Sequence, residues 1–284
     1  MSRPQIIDSF MFNNEMDMLE CRLTEMFDAV DWFILVEADV DHQNHPKPCH
    51  YRENRERFAR WASKIIDVQA TGLPNTDHHL NPWAREHGQR EWTRIGLGHV
   101  PNLQPTDIVF HGDVDEICRP LETRNVRPRP GQVVAFDQRL HCFAADWLHP
   151  DPWRGTVAAT IDTITRIDAW IRNNGIECGP FSMLRDLRNG VYNPATLPPV
   201  TYTVLPQAGW HLSWMGGRDA QLAKLGSFCH PEIADRTLVG LQADRFNREG
   251  FHVDGRRMEP VDVTDDWPVY VTKQRCPSSW LRVR

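Results

Sequence analysis

Strand-like and helix-like segments alternate through the first 111 residues, and no other feature of the sequence constrains the fold as strongly. An apolar run at residues 5–12 is followed by Asn14, a candidate helix cap, and then by apolar residues at helical spacing. A nearly continuous apolar run at 31–37 is typical of a strand covered on both faces, as parallel strands usually are. Strands are also predicted at 65–68 and 107–111, each preceded by a helical pattern. The alternation predicts an α/β fold with a largely parallel sheet.

Composition and charge exclude several other classes of protein. Hydrophobic residues make up 40% of the 284 residues and charged residues 25%, which is typical of a globular protein and not of a disordered chain. The formal charge of -6 disfavours extended binding to a nucleic acid backbone. The longest strongly apolar run, residues 32–36, is too short for a membrane span, and no secretory signal is visible. Seven cysteines without a Cys-x-x-Cys pair indicate reduced thiols, so we predict a cytoplasmic location.

Two carboxylates, Asp113 and Asp115, come directly after the fourth predicted strand. In an extended segment, side chains two residues apart point to the same side. Hard divalent cations such as Mg²⁺ and Mn²⁺ prefer oxygen ligands and often bind carboxylates together with a substrate phosphate. The pair therefore suits a reaction in which a phosphate-bearing group leaves. The same tripeptide occurs at Asp39-Val40-Asp41, so the spacing alone leaves a metal site and a solvated loop both open.

The sequence lacks the common nucleotide and hydrolase motifs. It contains no P-loop, no His-Glu-x-x-His zinc motif, no complete dinucleotide fingerprint and no Gly-x-Ser-x-Gly nucleophile elbow. It also contains no long linker, repeat or low-complexity tract, and we predict one continuous domain over residues 1–284.

Five segments of the chain match a known pattern in order, and they lie at residues 8–23, 30–37, 107–117, 209–217 and 224–232. The third contains His111-Gly112-Asp113-Val114-Asp115-Glu116, and the fourth contains Gly209-Trp210-His211-Leu212-Ser213-Trp214. In these segments the chain resembles glycosyltransferase family 17. The resemblance implies a GT-A type nucleotide-sugar fold, which is Rossmann-like with a mostly parallel sheet flanked by helices. It also favours Asp113 and Asp115 over the second tripeptide as the metal motif.

The same resemblance implies an activity. Its members suggest inverting transfer of a sugar, N-acetylglucosamine from UDP-GlcNAc, onto a hydroxyl of a glycan acceptor, with Mn²⁺ or Mg²⁺ as cofactor. The domain would then comprise a nucleotide-sugar-binding half (1–118), an acceptor-side half (119–250) and a C-terminal tail (251–284). Because no membrane anchor is visible, we expect a surface-glycan precursor as acceptor, with peripheral contact to a lipid-linked form as one option. A sugar nucleotidyltransferase and a non-catalytic carbohydrate-binding protein remain the alternatives.

Three side chains are expected to bind the metal ion. Asp113 and Asp115 form the carboxylate pair, and Asp115 also counts as catalytic because the ion supports departure of the diphosphate. His211 is the expected third ligand, since the resemblance implies a C-terminal histidine that returns to the metal, and His230 is its substitute. Glu177 is the predicted catalytic base, on its position between the carboxylate pair and His211. The rival carboxylates for this role are Asp146, Asp151 and Asp186.

Further residues are expected to bind the donor. They are Asn13, Glu15, Glu37, Arg90, Asp113 and Glu116. Ligands of parallel sheets bind beyond the carboxyl ends of the strands, which is where Asn13, Glu15 and Glu37 stand. Helix capping is the alternative for Asn13 and Glu15, and an ion pair with Glu86 is the alternative for Arg90.

The chain has 11 tryptophans and only 4 tyrosines. Aromatic faces pack well on apolar rings, including those of sugars. We expect Trp153, Trp210 and Trp214 to lie on the acceptor side, and the tryptophans of the first half to belong to the core.

Overall fold

The computed structural model describes residues 3–74, 81, 83–188, 198–227, 248–252, 254–264, 266–273 and 275–282. Its strands are β1 (Ile6–Phe12), β2 (Trp32–Ala38), β3 (Ile65–Ala70), β4 (Ile108–Asp113), β5 (Glu116–Cys118), β6 (Gln132–Cys142), β7 (Trp147–Leu148), β8 (Trp153–Thr160), β9 (Thr201–Ser213) and β10 (Glu259–Pro260). Its α-helices are α1 (Met16–Met26), α2 (His50–Glu53), α3 (Ala84–Glu91), α4 (Thr93–Leu97), α5 (Pro120–Asn125), α6 (Ile161–Asn173), α7 (Pro180–Leu187), α8 (Gly217–Leu225) and α9 (Val269–Thr272). Within these ranges, no helix has the length and apolar character that crossing a bilayer requires.

The sheet is parallel where the sequence pattern is strongest. β1 pairs with β2 and β4, and β2 pairs with β3, all in parallel, so the strand order is β3-β2-β1-β4. On the β4 side, β8 joins antiparallel and leads to β6, which in turn pairs in parallel with β9. The predicted α/β fold, with a Rossmann-like sheet flanked by helices, is confirmed.

Helices cover both faces of the sheet because successive strand residues point to opposite sides. Phe10 and Phe33 pack on one face in a core that includes Leu19 and Leu23 of α1. Their neighbours, such as Ile34, pack on the other face in a core that includes residues of α4, α6 and α7. With both faces covered, the carboxyl ends of the strands remain as the place where a ligand can enter.

The predicted cap of the first helix is wrong. Glu15, not Asn14, is the residue that precedes α1, and no side-chain capping bond is made there. Instead, the carboxylate of Glu15 accepts hydrogen bonds from the main-chain N–H groups of Asn13 and Asn14, at 3.1 and 3.0 Å. Both of these amides precede α1, so Glu15 holds the turn that leads into the helix and does not cap the amides of its first turn.

The described part of the C-terminal tail belongs to the main core. Trp267, Tyr270 and Trp280 are each 2% exposed and join the cluster that contains α1. The main-chain N–H of Val269 donates to the carboxylate of Glu25 on α1, at 2.8 Å, and β10 pairs with β7. The tail therefore buries apolar surface that α1 and the sheet would otherwise expose.

Candidate active site

Of the two carboxylates of the Asp-Val-Asp motif, Asp113 ends β4 and Asp115 lies in the turn that joins β4 to β5. β5 is antiparallel to β9, and their register places Glu116 opposite His211. As a result, Nε2 of His211 lies 3.5 Å from Oδ1 of Asp115, while Nδ1 of the same ring is buried without a hydrogen-bond partner among the described residues. The predicted ligands Asp113, Asp115 and His211 all line one cavity, whereas His230 lies outside the described residues.

A buried ion pair holds the main chain of this turn. The guanidinium of Arg22 donates to both carboxylate oxygens of Asp8, at 2.8 and 2.7 Å, and both side chains are fully buried. Nη1 of Arg22 also donates to the carbonyl oxygens of Asp113 and Glu116, each at 2.8 Å. Arg22 was not predicted as a site residue. The one feature of the sequence that could have indicated it is a charged residue on the apolar face of a predicted helix. We conclude that Arg22 positions the carboxylate pair without facing the cavity.

Glu116 stabilises the turn between β4 and β5 and does not line the cavity. It is fully buried, and its Oε1 accepts hydrogen bonds from Nε1 of Trp153 and Nη1 of Arg188, both at 2.7 Å. Its Oε2 accepts from the main-chain N–H of Asp113 at 3.0 Å. A Cβ atom at Gly112 would lie 2.8 Å from this oxygen, so only glycine fits beside the buried carboxylate. Glu116 therefore orients Asp113, and its predicted direct contact with the donor has no support in this geometry.

Two cations neutralise the carboxylate pair. Arg90 is buried and bridges Asp113 Oδ1, at 2.6 Å, and Glu86 Oε1, at 2.8 Å, so its ion pair with Glu86 is found, and its contact with the donor stays a prediction. Lys224 on α8 lies 3.2 Å from Oδ2 of Asp115. Burial by itself would raise the pKa of Asp113, but the charge of Arg90 and of two neighbouring arginines outweighs it and holds that pKa well below its usual range. Burial opposes ionisation of Asp115 as well, yet Lys224 and His211 lower its pKa. Both carboxylates are therefore anionic at neutral pH.

The predicted residues at the carboxyl ends of β1 and β2 divide into two groups. Asn13 and Glu15 line the cavity, and the buried Oδ1 of Asn13 has no partner among the described residues. Glu37 is 1% exposed and accepts hydrogen bonds from Nζ of Lys47, at 2.9 Å, and from the main-chain N–H groups that begin α2. Glu37 therefore stabilises the loop after β2, and the structure does not bring it to the cavity.

The cavity formed by these elements has a volume of about 750 Å³, a size typical of small-ligand sites. It opens at the carboxyl ends of β1 and β4. Its lining includes Asn13, Glu15, Glu86, Arg90, Asp113, Asp115, Trp153, His211, Trp214, Lys224 and His252. Four tryptophans, Trp83, Trp153, Trp214 and Trp280, provide apolar surface beside these charged groups, so the expectation that Trp83 belongs to the core is wrong.

Of the three predicted acceptor-side tryptophans, two line the cavity. Trp153 is held by its hydrogen bond to Glu116, with its ring centroid 4.9 Å from that of His211. Trp214 also lines the cavity. Trp210 is buried in the core, where its Nε1 donates to the carbonyl oxygen of Asp266 at 3.1 Å. Because neighbouring strand residues point to opposite sides, a cavity-facing His211 turns Trp210 inward.

Glu177, the predicted base, is exposed in the turn between α6 and α7. Ile176 and Cys178 on either side of it pack against the core on that face of the sheet, which turns Glu177 outward. Within the described part of the chain, neither Glu177 nor the three rival carboxylates line the cavity. The assignment of Glu177 therefore has no geometric support.

Comparison with known proteins gives a consistent assignment by sequence. The family model of glycosyltransferase family 17 matches residues 1–174. The β-1,4-mannosyl-glycoprotein 4-β-N-acetylglucosaminyltransferase of Rattus norvegicus is 24% identical over 167 residues, covering 57% of this chain and 31% of the relative. The Homo sapiens protein of the same name is 23% identical with the same coverage. The chain thus spans about a third of the length of the curated relatives it matches.

Solved structures resemble the chain more distantly. Glucosyl-3-phosphoglycerate synthase from Mycobacterium tuberculosis, crystallised with Mn²⁺ and uridine-diphosphate-glucose, is 16% identical and covers 95% of this chain and 91% of its own, with a TM-score of 0.40. This score is too low for an argument about function, so the assignment depends on the sequence match. Because the family model covers residues 1–174, more than half of the 284 residues, the protein belongs to glycosyltransferase family 17.

Proposed function

We propose that this chain is a metal-dependent inverting glycosyltransferase that transfers N-acetylglucosamine from UDP-GlcNAc to a hydroxyl of a glycan acceptor. The observation that supports this most is the convergence of Asp113, Asp115 and His211, with Arg90 and Lys224 beside them, at one cavity. The donor sugar is taken from the names of the relatives.

The residues at this place fit a divalent cation. Two carboxylates and one imidazole suit Mn²⁺, and the carboxylates also suit Mg²⁺. Asp113, Asp115 and His211 would hold the ion, and the buried Nδ1 of His211 leaves Nε2 as the nitrogen nearer to the carboxylates. When bound, such an ion supplies positive charge that stabilises a departing diphosphate.

The chain's own cations can serve the same leaving group. In the transfer, the acceptor oxygen bonds to the anomeric carbon while the bond from that carbon to the diphosphate oxygen breaks, and its electron pair leaves with UDP. The proton of the hydroxyl passes to a base. Arg90 and Lys224 carry preorganised positive charge at the carboxylate pair, where a diphosphate would develop negative charge. Glu177 is exposed outside the cavity, so it does not stand where this base would act.

A donor screen tests the proposal. The purified chain is incubated with UDP-GlcNAc, UDP-glucose, UDP-galactose and UDP-GalNAc, each with and without Mn²⁺ and with water as the acceptor, and UDP release and the melting temperature are measured. We expect Mn²⁺-dependent release of UDP, fastest from UDP-GlcNAc, and stabilisation by UDP only when the metal is present. Formation of UTP from UDP-GlcNAc and pyrophosphate would instead identify a nucleotidyltransferase. Stabilisation by oligosaccharides but not by UDP with metal would identify a carbohydrate-binding protein.

Trp214 provides a test of the acceptor side. Its ring lines the cavity, and Nζ of Lys224 lies 5.5 Å from the ring centroid. Replacing Trp214 by Ala should raise the KM for the acceptor by about 2- to 10-fold, because loss of one aromatic contact costs about 0.5–1.5 kcal/mol, and should leave the KM for UDP-GlcNAc nearly unchanged. Trp170→Ala, which removes a tryptophan of α6 outside the cavity, is the matched control. An increase confined to the donor KM would place Trp214 on the nucleotide side.

A further inference from the structure

A second group of metal-binding side chains lies at the edge of the cavity, apart from the carboxylate pair. It consists of His149, His252 and Asp254, whose ligand atoms all lie within 4.8 Å of one another. Nε2 of His149 is 3.2 Å from Oδ2 of Asp254, and Nδ1 of His252 is 3.0 Å from Oδ1. We propose that these three side chains bind a divalent transition metal of the zinc type, at a site separate from Asp113, Asp115 and His211.

His149 is held in the orientation that a metal ligand requires. It is 6% exposed, and its main-chain N–H donates to the carbonyl oxygen of Leu140 at 2.8 Å. Nδ1 of the ring lies 3.1 Å from the carbonyl oxygen of Asp151. Histidines that bind metals usually donate their second ring N–H to such an oxygen, which leaves the other nitrogen free for the metal. The main-chain N–H of Asp151 is equally close, so a tautomer with the proton on Nε2 is the competing arrangement.

The other two ligands come from a tight turn that presents both of them to His149. The main-chain N–H of His252 donates to the carbonyl oxygen of Arg256 at 2.8 Å, and the N–H of Gly255 donates to that of His252 at 2.9 Å. Gly255 has a φ of +85°, a conformation that favours glycine and closes the turn. His252 and Asp254 stand two residues apart, and both contact the same region around His149.

The donor set fits zinc better than magnesium or calcium. Two imidazoles and one carboxylate are ligands that Zn²⁺ binds well, whereas hard cations prefer oxygen donors alone. Arg256 lies 3.8 Å from Asp254 and by itself would oppose a bound cation, but its ion pair with Asp151 offsets that charge. Three protein ligands leave a fourth position open. Because His252 also lines the main cavity, a bound metal would fix part of the cavity wall whatever reaction takes place there.

Metal titration tests this site apart from glycosyl transfer. The chain carrying Asp113→Asn and Asp115→Asn is stripped of metal with a chelator and titrated with CoCl₂, and then with ZnCl₂ as competitor. We expect one equivalent of Co²⁺ with visible d–d absorption, no thiolate charge-transfer band, and displacement by Zn²⁺. In that background, His149→Ala and Asp254→Asn should each weaken Zn²⁺ binding by at least about 100-fold.

Two controls keep the result interpretable. Asp254 has a side chain that is 40% exposed, so Asp254→Asn tests the site even if His149→Ala fails to fold. His99→Ala, which removes an exposed histidine, should leave the affinity unchanged. Three outcomes would overturn the proposal: equal Zn²⁺ affinity in all variants, a thiolate band, or no binding by the Asp113→Asn/Asp115→Asn chain. The three side chains would then form only a hydrogen-bonded network of two imidazoles and a carboxylate.

Discussion

UDP release by the Asp113→Asn/Asp115→Asn variant should fall by at least about 1000-fold, because the charge that holds the metal is lost while the size of both side chains is kept. Mn²⁺-dependent stabilisation by UDP should disappear in the same variant. The chain should stay folded, since Arg90 keeps its ion pair with Glu86 at 2.8 Å. The measurements are UDP release at saturating UDP-GlcNAc and the melting temperature with and without UDP and Mn²⁺.

The second Asp-Val-Asp tripeptide supplies the matched control. Asp39→Asn changes the same residue type in the same tripeptide, just after β2, but Asp39 does not line the cavity. Its rate should stay within about twofold of the parent chain, since surface substitutions of this kind are usually nearly neutral. A double variant of Asp113 and Asp115 that kept more than a tenth of the parent rate would contradict the assignment of the metal site.

Replacing Arg22 by Met should lower the free energy of unfolding by about 3–5 kcal/mol, because Asp8 would remain as a buried charge without its partner. In a chain of this size that corresponds to a fall in melting temperature of about 10 °C. The carbonyl oxygens of Asp113 and Glu116 would also lose their hydrogen-bond donor. Unfolding in urea measures the loss of stability. The affinity for UDP in the presence of Mn²⁺ measures whether the turn between β4 and β5 still positions Asp113 and Asp115.

A second substitution separates stability from positioning. In Arg22→Met/Asp8→Leu the buried charge is gone, so much of the stability should return. The carbonyl oxygens of the turn stay without a donor, so the affinity for UDP and Mn²⁺ should remain low. Arg57→Met, which removes the partly exposed ion pairs of Arg57 with Asp17 and Glu20 of α1, should cost less than about 1 kcal/mol. If the double variant regained full affinity, Arg22 would contribute to folding alone.

The outcomes at individual residues follow a physical rule. Asn13 and Glu15 come directly after β1, and strand direction alone places them at the ligand edge, so their position at the cavity was predictable. Glu37 is the penultimate residue of β2 and reaches the same edge of the sheet, yet it is turned toward Lys47 and the start of α2. Chain position says where a residue emerges from the sheet, but not which groups compete for its side chain.

Buried partners explain the remaining differences. Glu116 is bound by Trp153 and Arg188, which lie 37 and 72 residues away in sequence. Arg22 meets carbonyl oxygens 91 and 94 residues away. No local pattern encodes such contacts, because they depend on how β4, β5, β8 and α7 pack. The position of Glu177 outside the cavity has a related reason, since Ile176 and Cys178 on either side of it pack against the core and turn its side chain outward.

The amino-acid sequence was enough to predict the α/β class, the edge of the sheet at which the cavity opens, and the family resemblance that singled out Asp113, Asp115 and His211. These depend on local periodicity and on ordered motifs, which can be read along one chain. Which of the predicted residues line the cavity and which support it is decided by tertiary packing, which local sequence patterns do not encode. Asp115 lies beside His211 because β5 pairs with β9. Arg22 and Glu116 are buried, so each is stable only with an oppositely charged partner from another part of the fold, and in those positions they hold the turn without lining the cavity.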